Sequence, residues 1–237
     1  MVLESWLSPW SSKWPATKLF FLGFVYASVG MFLAGKIFGS SASLVMVFFA
    51  VMGALPLFYW SVVREEKFDL EERSEFSLLV KHKELIIFFL ALFIGMLCAF
   101  AFWYFVLPDA TRTSFFVLQQ QTIGDLNRNV ATGNAIAPEK AFVLIALNNL
   151  RVLVSAIVFS LLYGSGALFI LTWNASVLGA AMGAFAKQHF ALAGTGWTGA
   201  TSGLIYAGAI TLTRYWVHGI PEMAGYFVGG LAGGILS

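Results

Sequence analysis

Arg214, His218 and Glu222 recur at every fourth position in the stretch RYWVHGIPEMAGYFVGG. On a continuous helix that spacing would put three ionisable groups on one face. Three chemistries suit such a set: acid–base work by His218, a polar path for an ion, or a charge clasp that holds helices together. Upstream, Asn148, Arg151 and Ser155 also fall on one helical face, with Asn149 beside them and Asn174 further on. After Lys140 the sequence has one carboxylate, Glu222, to face Arg151, Lys187 and Arg214. A charge at the centre of a membrane helix costs about 2.5–3.5 kcal/mol even on the lenient insertion scale. Glu222 is therefore the expected counter-ion of Arg151, with Arg214 competing for it. Lys187 falls near a span end, where its stem can carry the ammonium toward the headgroups.

The catalytic reading lacks its usual motifs. The three histidines are His82, His189 and His218, and no HExxH, GxSxG or GxxxxGK[ST] occurs. Ser202, in GATSGL, reads as a backbone hydrogen-bond donor in a Gly/Thr-rich turn. No catalytic residue, metal or cofactor is expected.

The elements that must position these groups follow from composition. Of 237 residues, 59% are hydrophobic and 11% charged, with a mean hydropathy of +0.81. Soluble domains carry about 25% charged residues. The chain therefore reads as an all-α, polytopic transmembrane bundle. A net charge of +2 gives no reason to expect a nucleic-acid partner. The lone Cys98, inside an apolar run, reads as a small packing residue.

Six to seven membrane segments are expected. The opening MVLESWLSPWSSKWP, with Trp6, Trp10 and Trp14, lacks signal-peptide features and reads as an interfacial anchor. Apolar runs follow at Leu19–Ala34, extending toward Phe38, and at Leu44–Val63, where Pro56 could kink the helix. Residues 64–84 hold five of the fourteen Lys/Arg and seven of the twelve Asp/Glu. They predict a cytoplasmic linker with a short interfacial helix, and so a cytoplasmic N-terminus. A third span, Leu85–Leu107, ends at Pro108. The polar stretch 108–140 predicts an outer cap or partner-binding loop, with Phe115 and Phe116 dipping into the bilayer surface.

Further spans are expected at about Ala141–Tyr163 and Ala167–Ala186, paired antiparallel through the turn YGSGA. The Gly/Thr-rich HFALAGTGWTGATSG cannot face lipid as open backbone and predicts a re-entrant or covered segment. Pro221 interrupts the last apolar region, giving half-helices hinged at His218–Ile220. This breaks the single face on which Arg214, His218 and Glu222 would otherwise sit. Gly179 with Gly183, Gly225 with Gly229, and Gly229 with Gly233 form GxxxG pairs. Such pairs serve a homodimer interface or tight packing inside one subunit.

An Asn-Asn pair in a span, small glycines, an Asn and then HGI-x-E before a Gly-rich helix resembles the stage II sporulation protein M family. The matching positions are Asn148, Asn149, Gly164, Asn174, Gly179, His218, Gly219, Ile220 and Glu222, and the likeness runs from about Lys81 to the end. The resemblance implies a polytopic bacterial or archaeal membrane protein. The namesake of the family is a scaffold for a peptidoglycan-degrading enzyme pair, and a distant likeness to ABC-2 exporter membrane subunits has been suggested. Two spans precede the matching region here, and the sequence stops at Ser237 before the further apolar span usual after the Gly-rich helix, which leaves a shorter protein or an incomplete chain as alternatives.

The expected organisation is therefore 1–63 as anchor and hairpin, 64–84 as linker, and 85–237 as the family-like membrane domain. The expected role is a non-enzymatic scaffold or partner subunit in the cell membrane, associated with lipid and other membrane proteins. The alternative is a channel or exporter component whose polar path is lined by Arg151, His218 and Glu222.

Overall fold

The computed structural model describes residues 15–69, 75–131 and 166–192, together with Val143, Leu147, Leu150, Leu153, Val154, Ser155, Ile157, Val158 and Ala209. All the regular structure among them is helical: α1 (Ala16–Phe38), a 3-10 turn (Gly39–Ser41), α2 (Ala42–Asp69), α3 (Glu75–Val106), α4 (Asp109–Phe115), α5 (Val117–Ala131) and α6 (Gly166–Leu192). Four stretches are long and apolar enough to cross a membrane: Ala16–Phe38, Ala42–Tyr59, Ile86–Val106 and Leu168–Phe190.

Each of these stretches coincides with an apolar run of the sequence, and their ends have local causes. Pro15 precedes the first turn of α1 and Pro108 that of α4, positions where proline's fixed φ suits a helix start. Gly39, at φ +50°, ends α1 in a conformation that side-chain-bearing residues rarely adopt. Pro56 lies inside α2, which continues through it. The charge-rich segment differs from expectation. Instead of a separate interfacial helix, α2 runs on to Asp69 and α3 begins at Glu75. Counted from Tyr59, α2 extends about 15 Å beyond its apolar stretch.

Packing centres on α1 and α3. α1 lies between α2 and α3, which hardly meet each other although they are consecutive; α3 packs on α6 along its other side. α1 and α3 run the same way: Gly95 sits against Phe20 near one end, and Trp103 against Ser28 and Phe32 further along. α6 also runs with α3, since Thr172 meets Met96, Gly179 meets Phe100 and Gly183 meets Tyr104. α2 runs against the rest, with Gly30 facing Met46 and Ala50 while Gly53 faces Tyr26.

These seams are built on glycine. A Cβ at Gly23 would overlap the Leu92 carbonyl, and one at Gly95 the Phe20 carbonyl. At Gly30 it would lie 2.9 Å from the Ala50 nitrogen. In lipid, helices gain little from hiding apolar surface from each other, so close backbone approach and van der Waals contact hold them. The outer faces stay apolar: Phe21, Val25, Val29, Phe48 and Met52 are exposed. Val143, Leu147, Leu150, Val154 and Val158 are helical and exposed, and their spacing puts them on one face.

Candidate functional site: the capped end of the bundle

The end of the bundle where α1 stops, α2 starts and α3 stops is covered by α4 and α5. Phe115 of α4 rests on Gly35 of α1. Phe116 is fully buried and meets Phe100 and Tyr104 edge-on at 6.5 and 5.1 Å between centroids. The two phenylalanines thus dip into the protein rather than into the bilayer surface. The physical reason is the break between α4 and α5 at Phe116, which turns its ring inward where α3 leaves room.

Beside Phe116 sits Gln119, with no exposed surface. Its Oε1 accepts from Ser43 Oγ at 2.6 Å. Its Nε2 donates to Ser43 O at 3.2 Å and to Ser176 Oγ at 3.1 Å. Ser43 Oγ also accepts from the Leu118 amide at 3.1 Å, and Ser176 Oγ donates to Trp173 O at 2.7 Å. Both amide protons and the carbonyl of one buried side chain are therefore satisfied, across α2, α5 and α6. An unpaired amide in that position would cost about 1–3 kcal/mol. Gln120 adds a bond from Nε2 to Tyr104 Oη at 3.0 Å.

The outer rim of this end is charged. Lys187 Nζ lies 3.1 Å from Asp109 Oδ1 and 3.4 Å from Leu107 O. Arg112 Nη1 lies 2.9 Å from the same Oδ1, off the hydrogen-bond axis, so that contact is charge on charge. The guanidinium carbon stands 5.2 Å above the Tyr104 ring. The hydrogen bond from Lys187, and then the two nearby positive charges, hold the Asp109 carboxyl below the usual carboxylate range. The sequence-based count of one carboxylate for three cations covered only residues after Lys140. Lys187 finds Asp109, a residue from the other half of the chain that the parallel course of α3 and α6 brings to it.

Of the predicted intramembrane polar cluster, the structure describes Asn174 alone. Its Nδ2 is buried with no hydrogen-bond partner among the described residues. Asn148, Asn149, Arg151, Arg214, His218 and Glu222 lie outside the described residues, as do Gly225, Gly229 and Gly233 and the re-entrant and broken-helix segments. Gly179 and Gly183 lie against α3 of their own chain: Cβ atoms there would stand 2.8 Å from Phe100 Cβ and 2.8 Å from the Ala101 carbonyl. That GxxxG pair belongs to the subunit's own packing and is closed to a homodimer. Among the described residues, no group of His, Cys, Asp and Glu could hold a metal ion.

Sequence reasoning missed Gln119, Ser43 and Ser176. The available signal was FFVLQQQ, an apolar run passing straight into amides, which fits a helix that enters a core and leaves it again. No family model, no curated protein and no solved structure matches this chain.

Proposed function

We propose that this chain is a non-enzymatic integral membrane scaffold or partner subunit, in keeping with its resemblance to the stage II sporulation protein M family. The observation that supports this reading is the plugged end of the bundle. Phe116 and Gln119 fill the space between α2, α3 and α6, and Gln119 has its hydrogen bonds met by fixed partners. A filled, hydrogen-bonded end suits a body that holds its shape and offers its surface to others. In this reading the chain has six to seven membrane segments and lies in the cell membrane. Its N-terminus and residues 64–84 are cytoplasmic, and α4–α5 is the outer, partner-facing surface.

The test is recovery of a stoichiometric partner from native membranes. Charge placed on the exposed cap face, Thr111→Arg with Gln121→Arg, is expected to abolish recovery without lowering the melting temperature. Failure to recover any partner, together with ion flux through reconstituted protein, would replace the scaffold with a conduction pathway. An impermeant thiol reagent should label Asp125→Cys, in a Cys98→Ser background, only from outside.

A further inference from the structure

The charged rim holds more positive charge than its single carboxylate neutralises. Arg112 and Lys187 both approach Oδ1 of Asp109, at 2.9 and 3.1 Å, which among the described residues leaves one positive charge uncompensated. Arg112 is preset: its ring partner Tyr104 is buried, and the guanidinium's buried Nε and Nη1 have no hydrogen-bond acceptor among the described residues. Lys187 is partly exposed, and its ammonium has three donors against two acceptors within reach. Asp109, whose side chain is 77% exposed, can swing away from both.

The level of this seam matters as much as its charge. The apolar stretch of α3 ends at Val106 and that of α6 at Phe190. The two cations therefore stand where hydrocarbon gives way to headgroups. Beside them the Phe105 and Phe190 rings meet edge-on at 5.5 Å, and Val106 and, further in along α3, Phe102 are exposed. Cations at headgroup level above an aromatic and aliphatic wall match the two ends of a phospholipid.

We propose that the α3–α4–α6 seam binds the phosphate of an anionic lipid headgroup, through Arg112 and Lys187, with Asp109 as the internal anion that the phosphate displaces. The experiment reconstitutes the full chain in phosphatidylcholine vesicles with and without phosphatidylglycerol, extracts it gently and measures retained lipid by native mass spectrometry. Wild type is expected to retain phosphatidylglycerol over phosphatidylcholine. Lys187→Gln and Arg112→Gln should each reduce that preference about fivefold, the size expected for one basic side chain at a membrane surface. Asp109→Asn should increase it, because the competing carboxylate is gone.

Lys36→Gln, an exposed lysine at the same end of the bundle, should leave the preference unchanged. An equal loss in Lys36→Gln would mean diffuse surface attraction and overturn the site. Displacement of the lipid by millimolar inorganic phosphate would mean a free-anion site and overturn the lipid assignment. If Arg112→Gln fails to fold, Lys187→Gln and Asp109→Asn still decide the matter. No change in either sinks the proposal.

Discussion

The helix seams and the capped end hold the same bundle by different means. Where α1 crosses α3, and where α3 meets α6, the contacts are glycine against backbone, as at Gly23 on Leu92 and Gly183 on Ala101. At the cap the contacts are a buried ring and a fully bonded amide. The difference follows from the solvent at each level. In the hydrocarbon layer every spanning helix satisfies its own backbone, so shape does most of the selecting of partners. At the membrane boundary the chain leaves α3, turns and starts α4 and α5. There, side chains must supply bonds to backbone groups and hydroxyls that water would otherwise meet.

The comparison breaks most sharply at the seams. Gly95→Ala puts a methyl group into the Phe20 carbonyl, so two helices must separate along their length. The expected loss is about 3 kcal/mol, at the upper end of overpacking costs, with reduced folded yield in mild detergent. Gly179→Ala should cost less, because its nearest neighbours, Phe100 Cβ at 2.8 Å and the Leu97 carbonyl at 3.0 Å, leave more room than the Phe20 carbonyl leaves at Gly95. Gly124→Ala, with nothing within 4 Å, should be neutral or slightly stabilising in a thermal melt. Equal effects at all three positions would show that close approach is not what holds the seams.

At the cap, Gln119→Ala should cost about 2 kcal/mol, from a cavity and from the unmet Ser43 and Ser176 groups. Replacing the pair together, as Gln119→Leu with Ser43→Ala, should cost less than the sum of the single changes, since the two residues serve each other. Additive losses in chemical denaturation would show that the amide contributes only its bulk.

The apolar spans were legible because 18 or more apolar residues have few alternatives to crossing a bilayer. Pro108 marked an end for a reason visible in the sequence. What stayed hidden was which small residues would meet. Gly23, Ala27, Gly30 and Ala34 are all buried along α1. Yet Gly23 and Gly30 are seven apart rather than four, and their partner surfaces lie on other helices. The pairing of Lys187 with Asp109 was hidden for a related reason. The residues are 78 apart, and only the shared direction of α3 and α6 brings them together.

One hydrogen bond joins the two modes. Trp103 Nε1 donates to Ser28 Oγ at 2.9 Å in the α1–α3 seam, and Ser28 Oγ donates in turn to Phe24 O at 2.7 Å. Ser28→Ala removes the acceptor from a partly buried indole, while the Phe32 ring 4.7 Å away keeps Trp103 in place. The expected cost is about 0.6 kcal/mol, the average for side-chain hydrogen bonds between membrane helices. A loss several times larger would move this seam toward the cap's way of being held.

The smallest effect is expected at the rim, and it carries a pH signature. Asp109 titrates lower in the folded protein than in the unfolded chain, because Lys187 and Arg112 favour its charged form. Its contribution is then fully present above the unfolded carboxylate pKa of about 4, and is lost as pH falls through the lower folded value. Attachment of α4 to α6 should therefore be flat with pH from neutrality down to about 5 and weaken only in stronger acid. Hydrogen exchange along α4, compared between wild type and Asp109→Asn, reads this directly. The variant should lack the acid-dependent loosening, and at neutral pH its α4 should exchange slightly faster. Because Asp109 is exposed, salt should shrink the difference. An acid response that persists in Asp109→Asn would assign the rim's pH dependence to another group, and the cap's attachment would then rest on its buried contacts, Phe116 and Gln119 foremost.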